Sequence, residues 1–207
     1  MEIELLRVRN DKNSRFEDIQ IMLSLLHESK KIDYQLLIKS SLILMLYNSI
    51  EGTISNLLTE LFDAIHQKNL SMDLLPNKLQ NTINKYYLKK IGDSPKKLKE
   101  YYECDTVTLC SLSYLEINKY LRLFSGNLDS HSIRNISSDL GIQLRKGIDE
   151  PVLLKIKNCR NKLAHGETKF RNTCQDITEN DIQSMVQKVG LYLEEVINEY
   201  QNFLNRI

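Results

Sequence analysis

Seven glycines and three prolines in 207 residues leave little turn chemistry. A sandwich or barrel of many short strands needs more chain reversals than that, so the shortage argues against an all-β fold and for an all-α one. Cysteine is scarce as well. Cys104, Cys110, Cys159 and Cys174 form no CxxC pair, and no His stands at ligand spacing from any of them, so no metal site is expected. No stretch approaches the roughly 18 uninterrupted apolar residues of a membrane span. The start, Met1-Glu2-Ile3-Glu4, lacks the basic-then-apolar pattern of an export signal, and the expectation is a cytoplasmic protein with reduced thiols. An excess of one charge is missing too. Net charge is +1, with 28 basic against 27 acidic residues, so any contact with nucleic acid has to come from local clustering.

What the chain does have is helical periodicity. Its hydrophobic content of 42% is enough for one cored domain over 1–207, with 70–105 as a possible helical insertion. Residues 13–29 predict a modest amphipathic helix with Phe16, Ile19, Leu23 and Leu26 on one side. From Tyr34 to His66 apolar residues recur three or four apart, which predicts a spine helix roughly 50 Å long. Within it, residues 42–47 are apolar on every side and should be covered all round. Glu51 follows one turn after Tyr47 and is either a solvent-facing Glu or a polar group aimed at a site. Residues 107–124 predict another helix. Asp129 or Ser130 can cap a short one ending at Gly141, and Thr178 with Asp181 forms a capping box for a last helix over 178–206.

Between Pro76 and Tyr102, lysines gather among tyrosines. Lys85, Lys89, Lys90, Lys96 and Lys97 lie near Tyr86, Tyr87, Tyr101 and Tyr102. Such a cluster can track a phosphate backbone and stack on bases, or can be a solvated helical face.

The stretch Cys159-Arg160-Asn161-Lys162-Leu163-Ala164-His165-Gly166 is the one arrangement with the look of chemistry. Projected on a helix, Ile148, Val152, Ile156, Cys159 and Leu163 share a core-facing arc. Asn161 and His165 then fall nearly opposite, beside apolar Leu154, with Arg160 on the flank. His165 is thus either a surface residue in a last helical turn closed by Gly166, or part of a face covered by a second subunit. Chance supplies an Arg five residues before a His in roughly one such chain of six, so the surroundings must carry the reading.

Those surroundings resemble the HEPN-domain proteins. Arg160-Asn161-Lys162-Leu163-Ala164-His165 is similar to the RxxxxH motif of that family, in the form with a polar residue after the Arg. Tyr47-Asn48-Ser49-Ile50-Glu51, Phe124 to Asp129, Ile133-Arg134, Gly141-Ile142 and the terminal helix agree with prokaryotic HEPN-like nucleases of toxin and defence loci. The resemblance covers about 33–66 and 121–207. It implies a four- to five-helix up-and-down bundle that forms a twofold homodimer and cleaves RNA without a metal or cofactor, by attack of the ribose 2′-OH. Arg160, Asn161 and His165 would be catalytic and Glu51 supporting, with Lys85, Lys89, Lys90, Lys96 and Lys97 holding RNA.

Two other functions fit the same residues. One is a non-catalytic module that binds RNA or a protein. The other is a toxin–antitoxin subunit working beside a nucleotidyltransferase-like antitoxin. No Gly-rich phosphate loop or paired-Asp motif encodes that second activity here.

Overall fold

The computed structural model describes residues 5–68, 70–92, 113–123, 126–145 and 150–207. Among these residues it is all-α, with seven α-helices, two single-turn 3-10 segments and no strand. No helix of the described residues is long and apolar enough to cross a membrane.

Three long helices make the frame. α1 (Leu6–Glu28) and α2 (Ile32–Gln67) are joined by three residues, and α7 (Glu179–Arg206) closes the chain. Polar pairs fix their directions. The Leu5 amide donates to Gln201, Arg9 to Asn198 and Lys12 to Glu194, while His27 meets Glu179, so α1 runs antiparallel to α7. Arg7 opposite Glu60 and Asp11 opposite Asn56 set α1 antiparallel to α2. Lys39 donates to the Ile177 carbonyl and Lys68 to that of Leu204, which makes α2 and α7 parallel.

Apolar burial welds this frame. Along α2, Leu42, Ile43, Leu46, Ile50, Leu57, Leu58 and Leu61 are fully buried, whereas Leu44 and Met45 are only half-buried, so the stretch read as apolar all round is covered on most sides but not on all. Each such side chain contributes about 1.5–3 kcal/mol of transfer free energy. α7 supplies Val189, Leu193 and Ile197 from one face and Phe203 and Leu204 at its end. Gly190 lets α1 approach closely: a Cβ there would stand 3.1 Å from the Phe16 ring.

Shorter helices pack outside the frame: α3 (Asn77–Ile91), α4 (Tyr114–Leu121), α5 (Ser130–Asp139) and α6 (Glu150–Ala164). The 3-10 turns are Met72–Leu74 and Phe170–Asn172. The expected caps are present. Asp129 accepts from the Ser132 amide, and Thr178 and Asp181 bond reciprocally. After α5, Gly141 is left-handed at φ 88°, and its amide and that of Ile142 return to Ser138 and Ser137.

Three boundaries depart from the sequence reading. α1 begins at Leu6 rather than at 13, because Arg9 and Lys12 fold their stems against α7 and end on Glu194. The helix expected over 107–124 is seen as Tyr114–Leu121, since Arg122 turns left-handed; residues 107–112 and 124 lie outside the described residues. On α6 the buried edge is Leu153 and Ile156, with Val152, Cys159 and Leu163 only half-buried. The helix is therefore rotated toward α2 relative to the projected stripe, of which Ile148 lies outside the described residues.

Candidate functional site

That rotation decides where the motif points. Arg160 does not face outward: its guanidinium carbon sits 4.6 Å from the centroid of the Tyr47 ring on α2. A cation over an aromatic face is attracted by the ring quadrupole, and the planar guanidinium stacks well there.

Tyr47 is itself fixed at its far end. Its hydroxyl donates to the Gly126 carbonyl at 2.6 Å and accepts from the Leu128 amide at 3.1 Å. Burial raises its pKa; the Leu128 amide opposes this, the Glu51 carboxylate adds to it, and Arg160 opposes it. The phenol stays a neutral donor. Gly126 is left-handed at φ 75°, a conformation that other residues adopt only under strain, and a Cβ there would stand 3.6 Å from Glu51 and 3.9 Å from Arg160. Glu51 is thus a half-buried neighbour of the motif, not a solvent-facing Glu. Its charge also reaches Tyr114, whose pKa is raised first by burial.

The same loop is tied to α6 twice. The Asn161 amide donates to Asn127 at 2.8 Å, and Arg160 donates to the Asn161 oxygen at 3.1 Å. One turn earlier, Lys157 donates to Asp129. Burial raises the pKa of Asp129, but Lys157 and the Ser132 amide and hydroxyl outweigh it and hold the carboxyl down at about 2. Arg160 and Asn161 are therefore positioned from both α2 and segment 126–129.

His165 is treated differently. It is the last residue of the helical turn, its amide bonded to the Asn161 carbonyl at 2.9 Å. Gly166, at φ 67°, and Glu167 return their amides to Leu163 and Lys162, which closes the helix. The imidazole is exposed and makes no side-chain hydrogen bond to a described residue.

Residues 5–206 match the MAE_28990-like HEPN family. The chain belongs to that family. Neither a curated protein nor a solved structure matches it. HEPN membership points to a nuclease or RNA-binding role.

The remaining candidates in this HEPN domain divide by their partners. Lys90 is occupied, its ammonium 2.6 Å from Glu116 and 2.9 Å from the Tyr86 hydroxyl, and those bonds raise its pKa. It joins α3 to α4. Lys89 lies 3.5 Å from the Tyr120 carbonyl, and Lys85 is exposed. Lys96 and Lys97 lie outside the described residues. His27, His66 and His131 are all exposed, and no group of three metal-ligating side chains occurs among the described residues.

The sequence reading missed Tyr47 as the platform for Arg160 and Asn127 as the partner of Asn161. Both sit in stretches that carry the family resemblance. For Tyr47 a signal existed: a hydroxyl inside an all-apolar helical run has to find a partner across the fold.

Proposed function

We propose that this HEPN protein is a metal-independent endoribonuclease that works as a twofold homodimer, in the role of a toxin or antiphage effector. The observation that carries the reading is the contrast within six residues: Arg160 is stacked and hydrogen-bonded in place, while the exposed His165 at a helix end has no side-chain hydrogen bond to a described residue. A phosphate needs a fixed cationic fork as charge builds in the transition state. A proton carrier needs an imidazole that the substrate can reach.

In the reaction, His165 takes the proton of the ribose 2′-OH, and the oxygen attacks the adjacent phosphorus. The bond from phosphorus to the 5′-oxygen breaks, and that oxygen receives a proton from the imidazolium of His165 of the partner subunit. The products are a 2′,3′-cyclic phosphate and a 5′-hydroxyl. Arg160 stabilises the equatorial oxygens, with the Asn161 amide beside it. Apolar Leu154 on α6 is 45% exposed next to a hollow of about 380 Å³ that also touches Cys159, which supports a second copy covering this side.

RNA incubated with the protein in EDTA tests the reading. Cleavage should fall by about 10²- to 10⁴-fold in His165→Ala and comparably in Arg160→Ala, with melting temperature unchanged for the His variant. No cleavage by the wild type, or cleavage indifferent to His165→Ala, sinks the catalytic assignment and leaves a binding module. A monomeric mass in solution removes the dimer.

A further inference from the structure

A basic trough runs from α3 to the motif. Two hollows of about 500 and 390 Å³ share Arg122, Leu123, Ile136 and Asp139, so they are halves of one depression. One half is walled by Thr82, Lys85 and Lys89 of α3. The other ends at Asn127 and Asn135, and Asn127 is the residue that holds Asn161. The depression thus reaches the residue that links it, through Asn161, to Arg160.

Its chemistry is that of a strand of nucleic acid. Three cations, Lys85, Lys89 and Arg122, line it against one carboxylate, Asp139. Leu88, Leu123 and Ile136 give it aliphatic patches on which the face of an unstacked base can lie.

Arg122 sits at the junction of the two halves in an unusual state. It is left-handed, φ 49° and ψ 57°, and no other non-glycine described residue has a positive φ. Glycine would close α4 there without strain. The guanidinium has no ion-pair partner among the described residues, so nothing within them explains why an arginine occupies the place. A cation kept at a conformational cost in the middle of a basic trough is the mark of a binding group.

We infer that this trough is a subsite for single-stranded RNA, with Arg122 gripping a backbone phosphate and the strand leading past Asn127 to Arg160. The inference rests on the proposed nuclease reading for its substrate, and the test separates the two. The probe is a labelled oligouridylate of about twelve nucleotides, within the usual site size for single strands. It is titrated by fluorescence anisotropy into full-length His165→Ala protein, with and without Arg122→Gly, across a salt series. Glycine takes the left-handed conformation freely, so Arg122→Gly should melt no lower than its parent. Its Kd for the oligonucleotide should rise about tenfold, the worth of one phosphate contact. The slope of log K against log salt should shrink by about 0.7. Lys85→Gln with Lys89→Gln should shrink it further.

Cleavage by the otherwise wild-type chain gives the second readout. If the trough holds the strand, Arg122→Gly raises KM for the oligonucleotide while a dinucleotide, too short to reach it, is cut unchanged. An unchanged Kd and salt slope in Arg122→Gly overturns the trough even if RNA is cleaved. Binding that depends on Arg122 without any cleavage upholds the trough and overturns the nuclease reading. No binding of the oligonucleotide overturns the trough outright.

Discussion

The α1–α2–α7 frame and the site beside α6 are held by different forces. In the frame, side chains such as Leu46, Leu58 and Leu193 have no exposed surface and meet one another without directional demands. At the site, the fixed geometry comes from oriented bonds: Tyr47 to Gly126 and Leu128, Asn161 to Asn127, Lys157 to Asp129. Apolar contact is non-directional and scales with area, so many substitutions of similar volume preserve it. A hydrogen bond to a buried group is lost outright when one atom goes. The frame supplies stability, and the oriented bonds convert some of it into position.

Substitutions that spare one region and injure the other sharpen the contrast. The largest effect on folding should come from Leu58→Ala, which empties a fully buried place and costs about 2–5 kcal/mol. That is some 4–20 °C of melting temperature for a chain of this size, with activity per folded molecule retained. Tyr47→Phe deletes one oxygen and leaves the Gly126 carbonyl and the Leu128 amide without their partner. A loss of about 1–3 kcal/mol is expected in chemical denaturation, together with a loss of RNA cleavage, because the loop that holds Asn161 is released.

Asp129 makes the site sensitive to acid. Its pKa of about 2 in the fold lies below its unfolded value, so the unfolded chain takes up the proton first. The stabilisation is complete above about pH 4 and is lost as pH falls toward 2, by about 2 kcal/mol. Thermal melts over that range should show the loss in the wild type and not in Asp129→Asn, which starts lower. The smallest effect belongs to the frame. The Thr53 hydroxyl is buried with no partner among the described residues, and Thr53→Val should gain about 1 kcal/mol, read as a higher denaturation midpoint with cleavage untouched.

The same division explains how much the sequence revealed. The spine, the capping box at Thr178 and Asp181, the Asp129 cap and the Gly141 terminator are local patterns, spelled within a few residues of where they act. The start of α1 was hidden because its first turns look polar and are held by Glu194 and Asn198, near the other end of the chain. The rotation of α6 was hidden for a related reason. A short helix packed on one edge follows the shape of its neighbour, here the Tyr47 ring, more than its own stripe. The residue types of the motif were legible; the platform beneath Arg160 was not, since it joins positions more than a hundred residues apart.

The antiparallel seating of α1 also has a practical side. The Leu5 amide bonded to Gln201 puts the first and last described turns at one pole, level with the end of α2 near Lys68. Tyr47 lies about 30 Å back along that helix, by the rise of 1.5 Å per residue. A label carried on either of those turns therefore sits well away from Arg160 and should leave the Tyr47 platform undisturbed.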